Sequence, residues 1–176
     1  NKDFFYRYAV QMDAHHWDSP ADAILMNINH FHTINDRHGK SYGDSLLQRI
    51  GERMLTIVQE TGGMACRSEA DTFLVYCPHR MDYDSLLEAV SVHMNNTEAG
   101  QSENRVRIRM GVYADADKTL DIERRFDRAK IAADTVKGSF THAIGIYDDS
   151  LHETELLEEQ LIEDFQRAIR EKQFQI

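Results

Sequence analysis

Two short strand-like runs, Met64–Ser68 and Thr72–Cys77, lie so close together that only a very tight turn can join them. Amphipathic patterns flank this pair on both sides. From Asp44 to Gln59, residues Leu46, Leu47, Ile50, Met54 and Val58 recur at helical spacing, and from Asp84 to Met94 so do Leu86, Leu87, Val90 and Met94. A hairpin set among helical crossovers excludes an all-α bundle and an all-parallel sheet. It calls for a mixed sheet with helices packed on it.

The remaining segments fit that frame. Lys2 to about Asp13 reads as a helix with Phe5, Tyr8, Ala9 and Met12 apolar, and Ala21–Ile28 is a short apolar run suited to a buried strand. Phe31–Arg37 reads as a short helical turn before Gly39. Arg105–Tyr113 alternates, with Val106, Ile108, Met110 and Val112 on one face and Arg105, Arg107 and Arg109 on the other. Leu120–Lys137 reads as a helix, His142–Tyr147 as a last strand, and Ser150 to about Gln173 as a long helix. The expected fold is α+β, with about five strands on a ferredoxin-like plan. Of 176 residues, 41% are hydrophobic and 28% charged, which suits one folded domain with an appendage.

The net charge of −10 argues against nucleic acid and against anionic lipid as partners. No run of about 18 apolar residues is present, and no signal peptide opens the chain, which fits a cytoplasmic setting. A start at Asn1 rather than Met is expected of a piece of something longer. Cys66 and Cys77 lack the CxxC spacing and read as two buried thiols. The nine histidines lack metal-helix spacing. Gly39-Lys40-Ser41 imitates the end of a P-loop, but Ile34 stands where the motif needs glycine, and no strand leads directly into it. Arg105, Arg107 and Arg109 read as a solvated or helix-covered edge rather than as phosphate ligands.

The stretch from Asn27 to Asp44, NINHFHTINDRHGKSYGD, resembles without a gap the DIDHFKxINDxxGHxxGD signature of GGDEF domains, the diguanylate cyclase family. Cys66-Arg-Ser-Glu-Ala-Asp-Thr-Phe73 falls where that family has AR-x-GGDEF. Val106–Val112 with Gly111 resembles its SIG strand, Asp127–Lys137 its DxADxALYxAK helix, and Asn1-Lys2 with Phe5 its NRxxF. The resemblance implies a nucleotidyl-cyclase, palm-like version of the sheet. It also implies a chemistry in which two domains, each holding one GTP, form cyclic di-GMP with Mg²⁺ on the phosphates.

Several positions depart from the family. Its first metal-binding Asp is Asn27, its fourth motif residue is Thr72 instead of Glu, and only Asp71 keeps a carboxylate, as the residual metal ligand. Mg²⁺ is therefore expected to be held weakly or not at all. Glu69-Ala70 replaces the Gly-Gly of the turn, where a left-handed conformation costs roughly 1–2 kcal/mol, so the turn is expected to rearrange. Phe31, Asn35, Asp44 and Lys137 match nucleotide-binding positions. Asn35 and Asp44 read either as a guanine-reading pair or as caps of two helices, and Lys137 either as a phosphate contact or as an ordinary lysine in a last helical turn. The RxxD of the product-inhibition site is replaced by Glu60-Thr61-Gly62-Gly63.

Phe165–Ile176 is similar to the opening of an EAL phosphodiesterase domain. The expected organisation is a GGDEF domain over 1–149 and an inter-domain helix with the first EAL-like residues over 150–176. The leading expectation is a domain without cyclase activity, serving as a GTP-sensing or dimerising module for an EAL domain in the same chain. The alternatives are a working cyclase with an altered metal site and a scaffold that binds no nucleotide.

Overall fold

The computed structural model describes residues 1–91, 93–94, 104–139 and 141–170. The chain runs α1 (Lys2–His15), β1 (Ala21–Ile28), α2 (Phe31–His38), α3 (Lys40–Thr61), β2 (Met64–Arg67), β3 (Thr72–Pro78) and α4 (Tyr83–Val90). It continues through β4 (His93–Met94), β5 (Asn104–Arg105), β6 (Ile108–Tyr113), α5 (Ile122–Thr135), β7 (Ile144–Ile146) and α6 (Asp149–Arg170). Five strands form one sheet in the order β2-β3-β1-β6-β7, and β4 and β5 pair separately. Among the described residues only β6 and β7 pair in parallel, which follows from the α5 crossover between them.

Both faces of the sheet are covered, and this explains why β1 is apolar nearly throughout. Ile24, Met26 and Ile28 pack with Leu46, Ile50 and Met54 of α3 and with Leu86 and Val90 of α4. Ala23 and Leu25 face the other way, toward Phe5 and Ala9 of α1 and Phe126, Ala129 and Ala133 of α5. Helix α5 lies very close to the strands. A Cβ on Gly111 would stand 1.9 Å from the carbonyl oxygen of Ala129, so glycine there admits the helix.

Two polar networks are buried in this frame. Asp22 is fully buried near the start of β1. It accepts from Tyr83 Oη at 2.8 Å, Arg80 N at 2.9 Å and Asp115 N at 2.8 Å, and meets His79 Nδ1 at 2.7 Å. The second network joins α1 to α5. Arg125 donates to Asp13 and, at 2.8 Å, to Tyr76 Oη, which in turn donates to Asp13 at 2.7 Å.

Several boundaries differ from the expectations. Helix α3 begins at Lys40, four residues before Asp44, because Gly39 at φ 86° turns the chain straight from α2 into it. Helix α4 ends at Val90, where Ser91 turns extended, and Met94 lies on β4 instead. The expected strand from Arg105 divides, with Arg105 on β5 and β6 starting at Ile108. Strand β6 lies between β1 and β7 and is no sheet edge. The very tight hairpin turn is open, since Ser68–Asp71 separate β2 from β3. The final helix covers Asp149–Arg170, and the expected extension to Gln173 and the EAL-like residues 171–176 lie outside the described residues.

Candidate functional site

The end of β1 is where the sequence signature gathers. After Ile28 the chain turns through His30, a non-glycine residue held left-handed at φ 56°, into α2. Asn29 N donates to Arg107 O at 2.9 Å and Ile28 N to Asp71 O at 3.1 Å, so the neighbouring loops are tied to this corner.

Helices α2 and α3 then meet at Gly43. A Cβ there would stand 1.9 Å from Asn35 Oδ1 and 3.1 Å from the Phe31 ring, so the missing side chain lets both residues close in. Asn35 Oδ1 is buried and has no hydrogen-bond partner among the described residues. Asp44, the next residue along α3, is exposed. It lines a crevice of about 430 Å³ with Leu47, Cys66, Arg67 and Phe73. Burial pushes the Cys66 thiol up to about 11.

Neither Asn35 nor Asp44 caps a helix with its side chain. Asn35 lies inside α2 and contributes only its main-chain oxygen to Gly39 N, at 2.8 Å. The residue capping α3 is Gly39, without any side-chain bond, and Asp44 lies in the second turn. Glu60–Gly63 terminate α3, with Gly62 left-handed at φ 78° and its N–H on Val58 O.

On the opposite sheet face a second, smaller crevice of about 150 Å³ opens between the strand ends and α5. Asn27 pairs with Thr72 on one side and with Arg109 on the other, so three side chains stand in a row across β3, β1 and β6. Asn27 Nδ2 donates to Thr72 Oγ1 at 2.9 Å. Where the resemblance implies two carboxylates, an amide and a hydroxyl satisfy each other. Mg²⁺ seeks hard anionic oxygens in octahedral array, and this neutral, internally bonded pair matches it poorly.

Asp71 lies just before β3, outside the residues lining the crevice, and its carbonyl oxygen is occupied by Ile28 N. Among the described residues no three His, Cys, Asp or Glu side chains gather as a metal site would require.

The hairpin tip resolves its glycine loss by widening. The turn closes through Ser68 N donating to Thr72 O at 2.9 Å. Arg67 Nε donates to Ala70 O at 3.1 Å and to Glu69 O at 3.3 Å. Among the described residues only His30 and Asp115 are non-glycine residues at positive φ. Glu69 and Ala70 thus avoid the left-handed conformation, and Glu69 lines the small crevice.

Lys137 is exposed one residue beyond the end cap of α5, with its N–H on Asp134 O at 3.1 Å, and it does not line the crevice. Lys130, two turns earlier, does, as do Lys2 and Arg109. These three were not singled out as ligands in the sequence. The signal for Arg109 appears only once β1 and β6 are in register, opposite Asn27. The segment from Gly138 that replaces the family's GRN includes Phe140, which lies outside the described residues.

A five-stranded mixed sheet with helices on both faces brings the signature loop and the hairpin together at one end, an α+β architecture. The sequence profile of the family "Diguanylate cyclase, GGDEF domain" matches residues 1–141, and the chain belongs to that family.

The diguanylate cyclase DgcS of Shewanella oneidensis is 26% identical over 106 residues, covering 60% of this chain and 35% of that protein. The response regulator PleD of Caulobacter vibrioides is 28% identical over 131 residues, covering 71% and 29%. The chain thus spans about a third of the length of these curated relatives. Among solved structures, the active GGEEF domain of a diguanylate cyclase from Vibrio cholerae superposes with a TM-score of 0.64 at 16% identity, over 84% of this chain and 96% of that one. An EAL/GGDEF domain protein from M. capsulatus gives 0.60 at 18%, over 74% and 86%. These likenesses confirm the expected fold.

Proposed function

We propose that this chain is a regulatory GGDEF domain that takes a guanine nucleotide without joining two of them into cyclic di-GMP. The observation that carries the reading is the hydrogen bond from Asn27 to Thr72. Phosphoryl transfer between nucleotides needs positive charge held against the phosphates as charge develops. The two positions that would anchor a metal here carry no charge, and each already holds the other. Mg²⁺ is accordingly weakly held or absent, and Asp71 alone does not replace the pair.

The guanine end is better preserved. Phe31 and Asn35 close on Gly43, and Asp44 opens onto the adjoining crevice. An amide and a carboxylate together present the acceptors and donors that a guanine edge requires. The buried, unpartnered Asn35 Oδ1 supports a donor arriving from outside the protein.

In this reading residues 150–176 lead into an EAL domain, and a second copy of the chain is the partner in dimeric regulation. The exposed Leu157, Leu161, Phe165 and Ile169 of α6 supply apolar surface for such packing.

The test is incubation with GTP and Mg²⁺ or Mn²⁺, followed by product chromatography, alongside a calorimetric GTP titration. The expected result is binding without cyclic di-GMP. Product formed at a rate comparable to active relatives would sink the reading in favour of a working cyclase with an altered metal site. Absence of guanine-nucleotide binding at millimolar concentration would favour the scaffold. Restoring Asn27→Asp and Thr72→Glu together with Glu69→Gly and Ala70→Gly is expected to bring activity back, whereas one substitution alone is not, because such groups act as a unit.

A further inference from the structure

Arg109 stands on β6 directly opposite Asn27. Its side chain is only 16% exposed. Its Nε is buried without a hydrogen-bond partner among the described residues. The carboxylate of Asp134 lies 3.7 Å from Nη2, beyond hydrogen-bond reach, and is itself 46% exposed. The guanidinium is a rigid fork of five N–H donors that matches phosphate oxygens two at a time. Here that fork faces a small crevice with donor capacity left over.

Charges of both signs line the crevice. Lys2, Arg109 and Lys130 line it, and so do Glu69, Asp127 and Asp134. The formal sum is zero, but five of the six are exposed and only Arg109 is half-buried. Water and salt screen exposed charges far more than buried ones, so the least screened charge lining the crevice is the positive one on Arg109. At about 150 Å³ the space admits a phosphate or diphosphate group and leaves a nucleoside outside.

We propose that this crevice is an oxyanion site in which Arg109 takes phosphate oxygens directly. Its guanidinium supplies the positive charge that a divalent cation would otherwise bring, so phosphate binding here needs no metal. The three side chains in the row form one set, since a neutral Asn27–Thr72 pair beside an arginine avoids the electrostatic conflict that an arginine and a bound cation would create. The proposal rests on the reading of the chain as a guanine-nucleotide module.

The experiment is calorimetric titration of pyrophosphate and, separately, of GDP, each in EDTA and in Mg²⁺. It uses the wild type, Arg109→Ser and Arg109→Lys, with circular dichroism checking the fold of each. Both ligands are expected to bind in EDTA, with Mg²⁺ changing affinity by less than about threefold. Arg109→Ser is expected to weaken both by at least about tenfold, or ~1.4 kcal/mol. Arg109→Lys is expected to fall between, because it keeps the charge and loses the fork. If the serine variant does not fold, the lysine variant decides.

Binding that requires Mg²⁺, or variants that bind like the wild type, would overturn the proposal. GDP binding that ignores Arg109 leaves the guanine reading standing and removes this one. Arg109-dependent pyrophosphate binding with GDP no tighter upholds the crevice and removes the guanine reading. If neither ligand binds, both fall.

Discussion

Replacing Asp22 by alanine tests how far one buried carboxylate holds the sheet to its loops. The side chain is fully buried and gathers donors from two places: His79, Arg80 and Tyr83 around the start of α4, and Asp115 after β6. Removing it strands the Arg80 and Asp115 N–H groups and the Tyr83 hydroxyl, while the partly exposed His79 can turn to water. Each stranded buried donor costs about 1–3 kcal/mol. Relaxation and water entry prevent full addition, so the expected loss is about 3–5 kcal/mol, in the range for a broken buried charged group. For a chain of this length each kcal/mol lowers the melting temperature by roughly 2–4 °C, which predicts a fall of about 6–20 °C. Urea unfolding and thermal melts followed by circular dichroism measure it. Tyr83→Phe removes one donor and is expected to lose about 1 kcal/mol. Asp36→Ala, at an exposed carboxylate that meets His32 Nδ1, is the control and is expected to stay within about 0.5 kcal/mol. A loss below 1 kcal/mol for Asp22→Ala would refute the argument that these four contacts act as a staple.

Gly43→Ala places a methyl group into Asn35 and Phe31. It is expected to cost about 1–3 kcal/mol of stability by overpacking and to weaken GDP binding in the same titration. Asp44→Ala is expected to weaken GTP by more than tenfold, since a hydrogen bond to a charged group is worth about 1.5–3 kcal/mol, while Lys137→Ala, outside the crevice, matters less. An unchanged affinity for Asp44→Ala would remove the base-reading role. Burial pushes Cys66 up to about 11 and Cys77 up to about 12. A thiol is neutral and slow below its pKa, so at pH 8 Cys66 is expected to alkylate roughly two orders of magnitude, and Cys77 roughly three orders of magnitude, more slowly than an ordinary cysteine near 8.5. The rate should climb with pH toward 11, Cys66 first, and rapid alkylation of Cys77 at pH 8 would contradict its burial.

Much of the architecture was legible because local signals and tertiary burial agree. Ala21–Ile28 is read correctly to both ends, since Pro20 precedes it and apolar residues fill it. The start of α3 was missed because Asp44 looks like a cap, while the true junction is a single glycine whose conformation leaves no side-chain trace. Alternation placed Arg109 on a face, but it cannot tell solvent from a covering helix or an edge from the sheet interior. Only the pairing of β6 with β1 puts this arginine beside Asn27. Glu69-Ala70 in place of two glycines predicts a rearranged turn but not an open one, and its form, a loop closed by Ser68 N on Thr72 O, depends on geometry that composition does not specify.

The Asp13–Arg125–Tyr76 network has a mechanical consequence. It fastens α1 to α5 by a buried ion pair whose rupture costs about 3–5 kcal/mol. Helix α5 also carries Lys130 and Asp134, which form one wall of the small crevice. Helix α1 is therefore pinned to that wall and, because Tyr76 belongs to β3, to the sheet beneath as well, so the exposed Phe4 and Tyr8 side of α1 and the crevice wall share one buried fastening.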